Sequence, residues 1–302
     1  LRKEISHYAM ENYHLEYDYH DEIIVTVGGS EAIDNALRSF VSNGDEVLIP
    51  EPSFVCYTPL AMMAGGVPVP LETRMEDGFK LTAETLKKAI TPKTKVLIMP
   101  FPNNPTGAIM TREDLEEIAA VLRDTNIVVI SDEIYCELTY GGKQHVCFAE
   151  LPGMRERTIV INGFSKSFAM TGWRLGWVMA PREMLKPLVK IHQFGIMSAP
   201  TVSQFAGIEA LRTGREDIKY MREQYDLRRR FMYYRLQEIG MPCFEPEGAF
   251  YIFPSIQKYM DDDEKFCDEL LRKKKVAVVP GSAFGESGRG HVRISYSYSM
   301  MH

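Results

Sequence analysis

Short apolar runs alternate with helix-length stretches along much of the chain. The runs Ile23–Val27, Glu46–Ile49, Val67–Val69, Lys95–Met99, Ile127–Ile130, Thr158–Ile161 and Leu175–Met179 have a nearly continuous Val, Ile and Leu character. That pattern predicts strands buried on both faces. Helical stretches lie between most of them. Residues 1–17 read as an amphipathic helix, and Ser30–Val41 follows the first strand. Thr111 is placed to cap a helix running to Arg123, with Asp114 as the acidic partner of a capping box. Alternation of strand and helix predicts an α/β fold: an αβα sandwich around a seven-stranded, mostly parallel sheet. The last two strands are joined by the shorter stretch Asn162–Arg174, which points to one antiparallel strand.

After Pro181 the pattern changes. Helices are predicted over Glu183–Phe194, Val202–Leu211 and the long charged stretch Arg215–Ile239. Strand-like Ala249–Phe253, helical Glu264–Lys274, and strands Val276–Val279 and His291–Ser295 follow. This predicts a large domain over residues 1–213 and a smaller C-terminal α+β domain over 214–302, reached through the long helix. Both ends read as cut: no capping residue precedes the first helix, and Tyr298-Ser299-Met300-Met301-His302 directly follows a strand.

Composition narrows the class. The 302 residues are 45% hydrophobic and 25% charged, an ordinary globular balance. The net charge of −6 argues against a nucleic-acid surface. No apolar run approaches the roughly 20 residues of a membrane helix, and Leu1-Arg2-Lys3-Glu4-Ile5 does not read as a signal peptide. Cys56, Cys136, Cys147, Cys243 and Cys267 show neither disulfide pairing nor metal-ligand spacing, so a reducing cytoplasm and no metal are expected.

Polar clusters sit just past the ends of separate strands: Gly28-Gly29-Ser30, Asn103-Asn104-Pro105-Thr106-Gly107, Ser131-Asp132-Glu133-Ile134-Tyr135 and Gly163-Phe164-Ser165-Lys166. Open α/β sheets bind ligands in the crevice outside the carboxyl ends of their strands, so these distant segments are expected to converge. Gly28-Gly29-Ser30 reads either as a tight turn with a serine cap or as a helix N-terminus open to an anion. Asn103–Gly107 reads as a turn, or as a loop whose Asn104 amide donates to a ligand oxygen. Asp132 ends an apolar strand, where a carboxylate is costly unless paired; it is a helix cap or it faces a cationic ligand atom. Most lysines are solvated, and Lys166 alone reads that way too; at a ligand crevice, however, a lysine can form a Schiff base, and desolvation lowers its pKa for that task. Arg174, in Thr171-Gly172-Trp173-Arg174-Leu175-Gly176, strengthens the case for a phosphate site.

The set Asn104-Pro105-Thr106-Gly107, Ser131-Asp132-Glu133-Ile134-Tyr135, Ser165-Lys166-Ser167-Phe168 and Thr171-Gly172-Trp173-Arg174 resembles the class I/II aminotransferases, fold type I enzymes dependent on pyridoxal 5'-phosphate. The resemblance implies that Lys166 holds the cofactor covalently and that Asp132 faces its pyridine nitrogen. Tyr135 and Asn104 match the donors to its phenolic oxygen. Gly29 and Ser30 match the phosphate cradle, with Arg174 the phosphate arginine. Phe54, in Pro52-Ser53-Phe54, matches the aromatic that stacks on the ring, and Arg293 the arginine that grips the substrate α-carboxylate. The alternative for Arg293, less favoured beside the other matches, is a surface arginine on an edge strand. Amino-acid and 2-oxo-acid substrates exchanged by a ping-pong reaction are implied, as is a homodimer with active sites at the subunit boundary. Leu60, Met62, Met63 and Tyr57 read as interface or as plain core.

The family's N-terminal arm and early glycine loop have no counterpart before Leu1, a tyrosine that reaches the neighbouring subunit's phosphate would also lie upstream, and the second arginine that selects dicarboxylates in some members is not placed in this sequence. The run His192-Gln193-Phe194-Gly195-Ile196-Met197-Ser198-Ala199-Pro200 is similar to a branch acting on N-acetylated diaminopimelate or aromatic amino acids. A carbon–sulfur β-lyase of the same fold and a non-catalytic effector-binding module are the rival readings. A nicotinamide dehydrogenase is disfavoured because Gly28-Gly29-Ser30 is not the dinucleotide fingerprint.

Overall fold

The computed structural model describes residues 1–299; Met300, Met301 and His302 of the terminal segment lie outside the described residues. The first part of the chain runs α1 (Arg2–Tyr13), β1 (Ile23–Thr26), α2 (Gly29–Phe40), β2 (Glu46–Glu51), α3 (Tyr57–Met63) and β3 (Val67–Glu72). It continues through α4 (Ala83–Ala89), β4 (Thr94–Met99), α5 (Arg112–Leu122), β5 (Val128–Asp132), β6 (Thr158–Gly163) and β7 (Gly176–Met179). Then come α6 (Arg182–Gly195), α7 (Thr201–Thr213), α8 (Arg215–Glu238), β8 (Tyr251–Ile252), α9 (Asp263–Lys274), β9 (Val279–Pro280) and β10 (Val292–Ser295).

β1 to β7 form one seven-stranded sheet in the order β1-β7-β6-β5-β4-β2-β3. β7 runs antiparallel to both neighbours, β1 and β6, while the other pairings are parallel. The cause is the short connection between β6 and β7. It holds only a single 3-10 turn, Thr171–Trp173, and a parallel return needs a longer crossover.

Side chains alternate across the sheet, and both faces are apolar. On β4, Val96 and Ile98 enter the core beneath α2, whereas Leu97 and Met99 enter the core beneath α5. Thr111 caps α5 in the expected reciprocal arrangement with Asp114. α2 turns Ala32, Ile33, Ala36 and Leu37 to the sheet. A second sheet, β8-β10-β9, packs with α8 and α9 around Leu236, Ile252, Ile256, Cys267 and Val292. Tyr135 and Leu138, which follow β5, join that second core and tie it to the large sheet. Among the described residues, no helix is long and apolar enough to cross a membrane.

Several expected elements are shorter. α1 stops at Tyr13 because His14 takes the left-handed conformation (φ 57°), although Leu15 and Tyr17 beyond it stay buried. Val27 is not in β1: its N–H bonds to the Glu31 carboxylate at 2.5 Å. The strand expected over Ala249–Phe253 shrinks to Tyr251–Ile252, since Ala249 has a positive φ of 57° and its N–H bonds to Leu138 O. Val276–Val279 yields only Val279–Pro280, because Lys275 closes α9 in the left-handed region and Val276 lies exposed.

Candidate active site

The strand ends supply the site. Gly28 leaves β1 with φ 82°, a conformation that glycine adopts at no steric cost. An ideal Cβ at Gly28 would lie 2.7 Å from Arg174 Nη2, so this position keeps a guanidinium close over the turn. α2 starts there with no side-chain cap on its first N–H groups. The Glu31 carboxylate binds the Val27 N–H and the Asn35 amide instead, and takes the His192 ring Nδ1 at 2.7 Å. Gly29 and Ser30 therefore present a free helix N-terminus, where backbone donors and the helix dipole favour an anion. Arg174, itself left-handed at φ 51°, is tied to Thr171 O at 2.9 Å.

Asp132, the last residue of β5, is buried. Its Oδ2 accepts the Tyr57 hydroxyl at 2.7 Å and its Oδ1 the Ile134 N–H at 3.3 Å. Burial holds its carboxyl above the ordinary range, with the Tyr57 bond, the Ile134 bond and the Lys166 charge opposing. Lys166 is half-buried past the end of β6, with Nζ 5.8 Å from the Tyr135 ring centre and 5.7 Å from that of Phe250. Burial, then the Arg293 and Arg174 cations, push its ammonium down from the ordinary lysine value; Asp132 opposes. Burial also pushes the Tyr135 phenol far up, so it stays a protonated donor. Its oxygen lies 3.0 Å from that of Tyr251.

Arg293 reaches the same place from β10. Its Nη1 donates to Asn104 Oδ1 at 2.9 Å, which leaves the Asn104 amide N–H groups as donors. The guanidinium lies between two rings, 4.4 Å from the Tyr251 centre and 4.9 Å from that of Phe284. Its Nε is buried without a hydrogen-bond partner among the described residues. Phe54 is half-buried and meets Tyr57 edge-on, with ring centres 5.9 Å apart.

Gly29, Ser30, Phe54, Asn104, Asp132, Tyr135, Lys166, Arg174 and Arg293 all line one cavity of about 290 Å³. A larger groove of about 840 Å³ runs along β1 and α6, but it contains none of these groups. Sequence reading missed Tyr251 and Phe284 and set Tyr57 aside as interface or core. Tyr57 does belong to the core beneath α2, and in addition it lines the cavity and bonds to Asp132. Its position three residues after Phe54, at the start of α3, is the signal that would have placed both rings on one side.

The donor set fits a flat, anionic, carbonyl-bearing ligand with a basic ring nitrogen. A phosphate suits the α2 N-terminus and Arg174; a protonated ring nitrogen suits a buried carboxylate that bonds no cation among the described residues; a carbonyl suits an amine of lowered pKa. Among the described residues, no group of His, Cys, Asp and Glu is arranged to hold a metal ion.

The comparisons with known proteins agree with this chemistry. The chain is 49% identical over 300 residues to the putative aminotransferase YugH of Bacillus subtilis (strain 168), covering 99% of this chain and 78% of that protein. It is 45% identical over 299 residues to the aspartate aminotransferase of Pyrococcus abyssi, covering 98% of this chain and 77% of the relative. The crystal structure of an aromatic aminotransferase from Pyrococcus horikoshii OT3 superposes with a TM-score of 0.96 at 45% identity, covering 99% of this chain and 80% of that one. Residues 1–301 match the model of the family described as aminotransferase class I and II, and the chain belongs to that family.

Proposed function

We propose that the cavity holds pyridoxal 5'-phosphate and passes an amino group from an L-amino acid to a 2-oxo acid in two half-reactions. The observation that carries the reading is the pairing of a buried, hydrogen-bonded Asp132 with a half-buried Lys166 of lowered pKa in one cavity. Bound there, the cofactor supplies a carbonyl for covalent linkage to amines and an electron-poor ring that stabilises negative charge at the carbon being deprotonated.

The protein's own groups do the rest. Lys166 Nζ would hold the cofactor through its carbonyl and, when free, would accept the proton from the substrate Cα and give it back. Its lowered pKa favours the neutral amine, the form that accepts a proton. Asp132 keeps the ring nitrogen protonated. Gly29, Ser30 and Arg174 hold the phosphate, Tyr135 and Asn104 donate to the phenolic oxygen, and Phe54 covers the ring. Arg293 takes the α-carboxylate in two parallel hydrogen bonds. Residues 1–213 act as the cofactor-binding domain, and 214–302 as a small domain that brings Arg293 over the cavity.

We further infer a homodimer of the cytoplasm. Phe194, Met197, Val202 and Phe205, close in sequence, are exposed apolar side chains of the kind a two-fold contact would cover. Light scattering reads the assembly directly, and a monomer would contradict it. For the reaction itself, loaded protein is mixed with single amino acids and the products measured. One 2-oxo acid per site, without ammonia, is expected; steady ammonia release without an acceptor would identify the lyase instead.

A further inference from the structure

Tyr251 touches both ends of the cavity. Its ring lies under the Arg293 guanidinium at 4.4 Å, and its hydroxyl oxygen lies 3.0 Å from that of Tyr135. Tyr251 and Tyr135 are both buried. The registers explain the first contact: β8 and β10 pair antiparallel with Tyr251 opposite Ser295, so Arg293 is the diagonal neighbour on the same face. The second contact crosses between the two sheets, because Tyr135 follows β5 of the large one.

We propose that Tyr251 is a positioning residue that joins the carboxylate grip to the hydroxyl at the cofactor's phenolic oxygen. The inference rests on the reading of the cavity as a pyridoxal-phosphate site. A phenol carries one proton. If Tyr135 gives its proton to the ligand oxygen, Tyr251 must be the donor within the tyrosine pair. A donor feeding the Tyr135 oxygen makes Tyr135 itself a stronger donor, because chained hydrogen bonds polarise one another. On the other side, the Tyr251 and Phe284 rings lie 4.4 and 4.9 Å from the guanidinium, and its side-chain bond to Asn104 leaves other N–H groups for a carboxylate. A shift of β10 on substrate capture is therefore felt at Tyr135 through one side chain.

The two duties use different atoms, so two variants separate them. Tyr251→Phe keeps the ring and removes the hydroxyl. Tyr251→Leu removes both. Each is loaded with pyridoxal phosphate and read twice: by the ratio of the bound cofactor's two absorption bands at one fixed pH, and by KM for L-aspartate and L-phenylalanine. Tyr251→Phe is expected to enlarge the band of the protonated lysine–cofactor linkage, since the phenolic oxygen loses part of its stabilisation, with KM held within about twofold. Tyr251→Leu is expected to add a KM rise of about tenfold. An unchanged band ratio in Tyr251→Phe overturns the hydroxyl role, and a KM in Tyr251→Leu equal to that of Tyr251→Phe overturns the ring role. If Tyr251→Leu does not fold, double-mutant coupling of Tyr251→Phe with Tyr135→Phe decides: additive spectral shifts overturn the link. A wild-type protein that takes up no cofactor instead overturns the reading of the cavity itself.

Discussion

The Tyr57 hydroxyl donates to Asp132 Oδ2 at 2.7 Å, with both side chains buried. The bond favours the ionised carboxylate against the burial that disfavours it. Removing the hydroxyl in Tyr57→Phe should raise the Asp132 pKa further in the cofactor-free protein, read by carboxyl carbon NMR. A hydrogen bond to a charged group contributes about 1.5–3 kcal/mol, so a roughly tenfold fall in kcat with little change in KM is expected for the loaded enzyme. An unmoved carboxyl resonance would separate Tyr57 from the site.

Asp132 also links stability to function. Its folded-state pKa is raised, so at low pH, where both states are protonated, it contributes nothing. As pH climbs past the unfolded value, the unfolded chain ionises first and stability falls. Asp132→Asn should therefore raise the melting temperature of the cofactor-free protein at neutral pH, by about 2–4 °C if it recovers about 1 kcal/mol. The same change should cut kcat by about a hundredfold or more, because the amide cannot keep a ring nitrogen protonated. A melting temperature that drops would contradict the sign.

Gly28 and Gly44 separate strain from site chemistry. Both have positive φ, 82° and 89°, but a Cβ at Gly28 would meet Arg174 whereas one at Gly44 would meet nothing within 4 Å. Each change to alanine should lower stability by about 1 kcal/mol through backbone strain. Only Gly28→Ala should weaken pyridoxal-phosphate binding, by about tenfold, as the guanidinium is displaced from the α2 N-terminus. Equal cofactor affinity in the two variants would remove Arg174 from the phosphate site.

Lys166 should be the most readily labelled lysine at neutral pH in the cofactor-free protein, since burial, Arg293 and Arg174 lower its pKa. In the loaded protein, borohydride reduction and peptide mapping should put the cofactor on Lys166 and no other lysine. Arg174→Ala removes one of the two cations acting on it, so the labelling rate at neutral pH should fall. An adduct elsewhere would sink the assignment.

Much of this was legible in the chain. Continuous aliphatic runs such as Val96–Met99 mark strands because both sheet faces are covered, and the polar clusters after them mark the crevice. Tyr57 was not legible as a site residue because an aromatic on an apolar helix reads equally as core. Tyr251 was hidden for a different reason. Its meaning depends on the pairing of β8 with β10, strands too short for any period to show, and on a contact between sheets far apart in sequence. The strands expected over Ala249–Phe253 and Val276–Val279 are shortened by one local cause, a left-handed residue, Ala249 or Lys275, at a position not held by glycine.

Arg293 gives the sharpest test of substrate binding. Its guanidinium is held by two rings and by Asn104, and its Nε is buried without a partner among the described residues. An unpaired buried donor is costly, so a ligand that pairs the remaining N–H groups recovers that cost. Arg293→Lys keeps the charge but replaces a planar fork by a point charge. Losing one charge-assisted bond of about 1.5–3 kcal/mol should raise KM about 10–100-fold. Pyridoxal-phosphate affinity should stay unchanged, because the groups proposed to hold the phosphate, the α2 N-terminus and Arg174, are not on β10. The pair of measurements matters more than either alone. KM unchanged across several amino acids would place Arg293 outside the substrate site, and a parallel loss of cofactor would make it a structural support for the cavity.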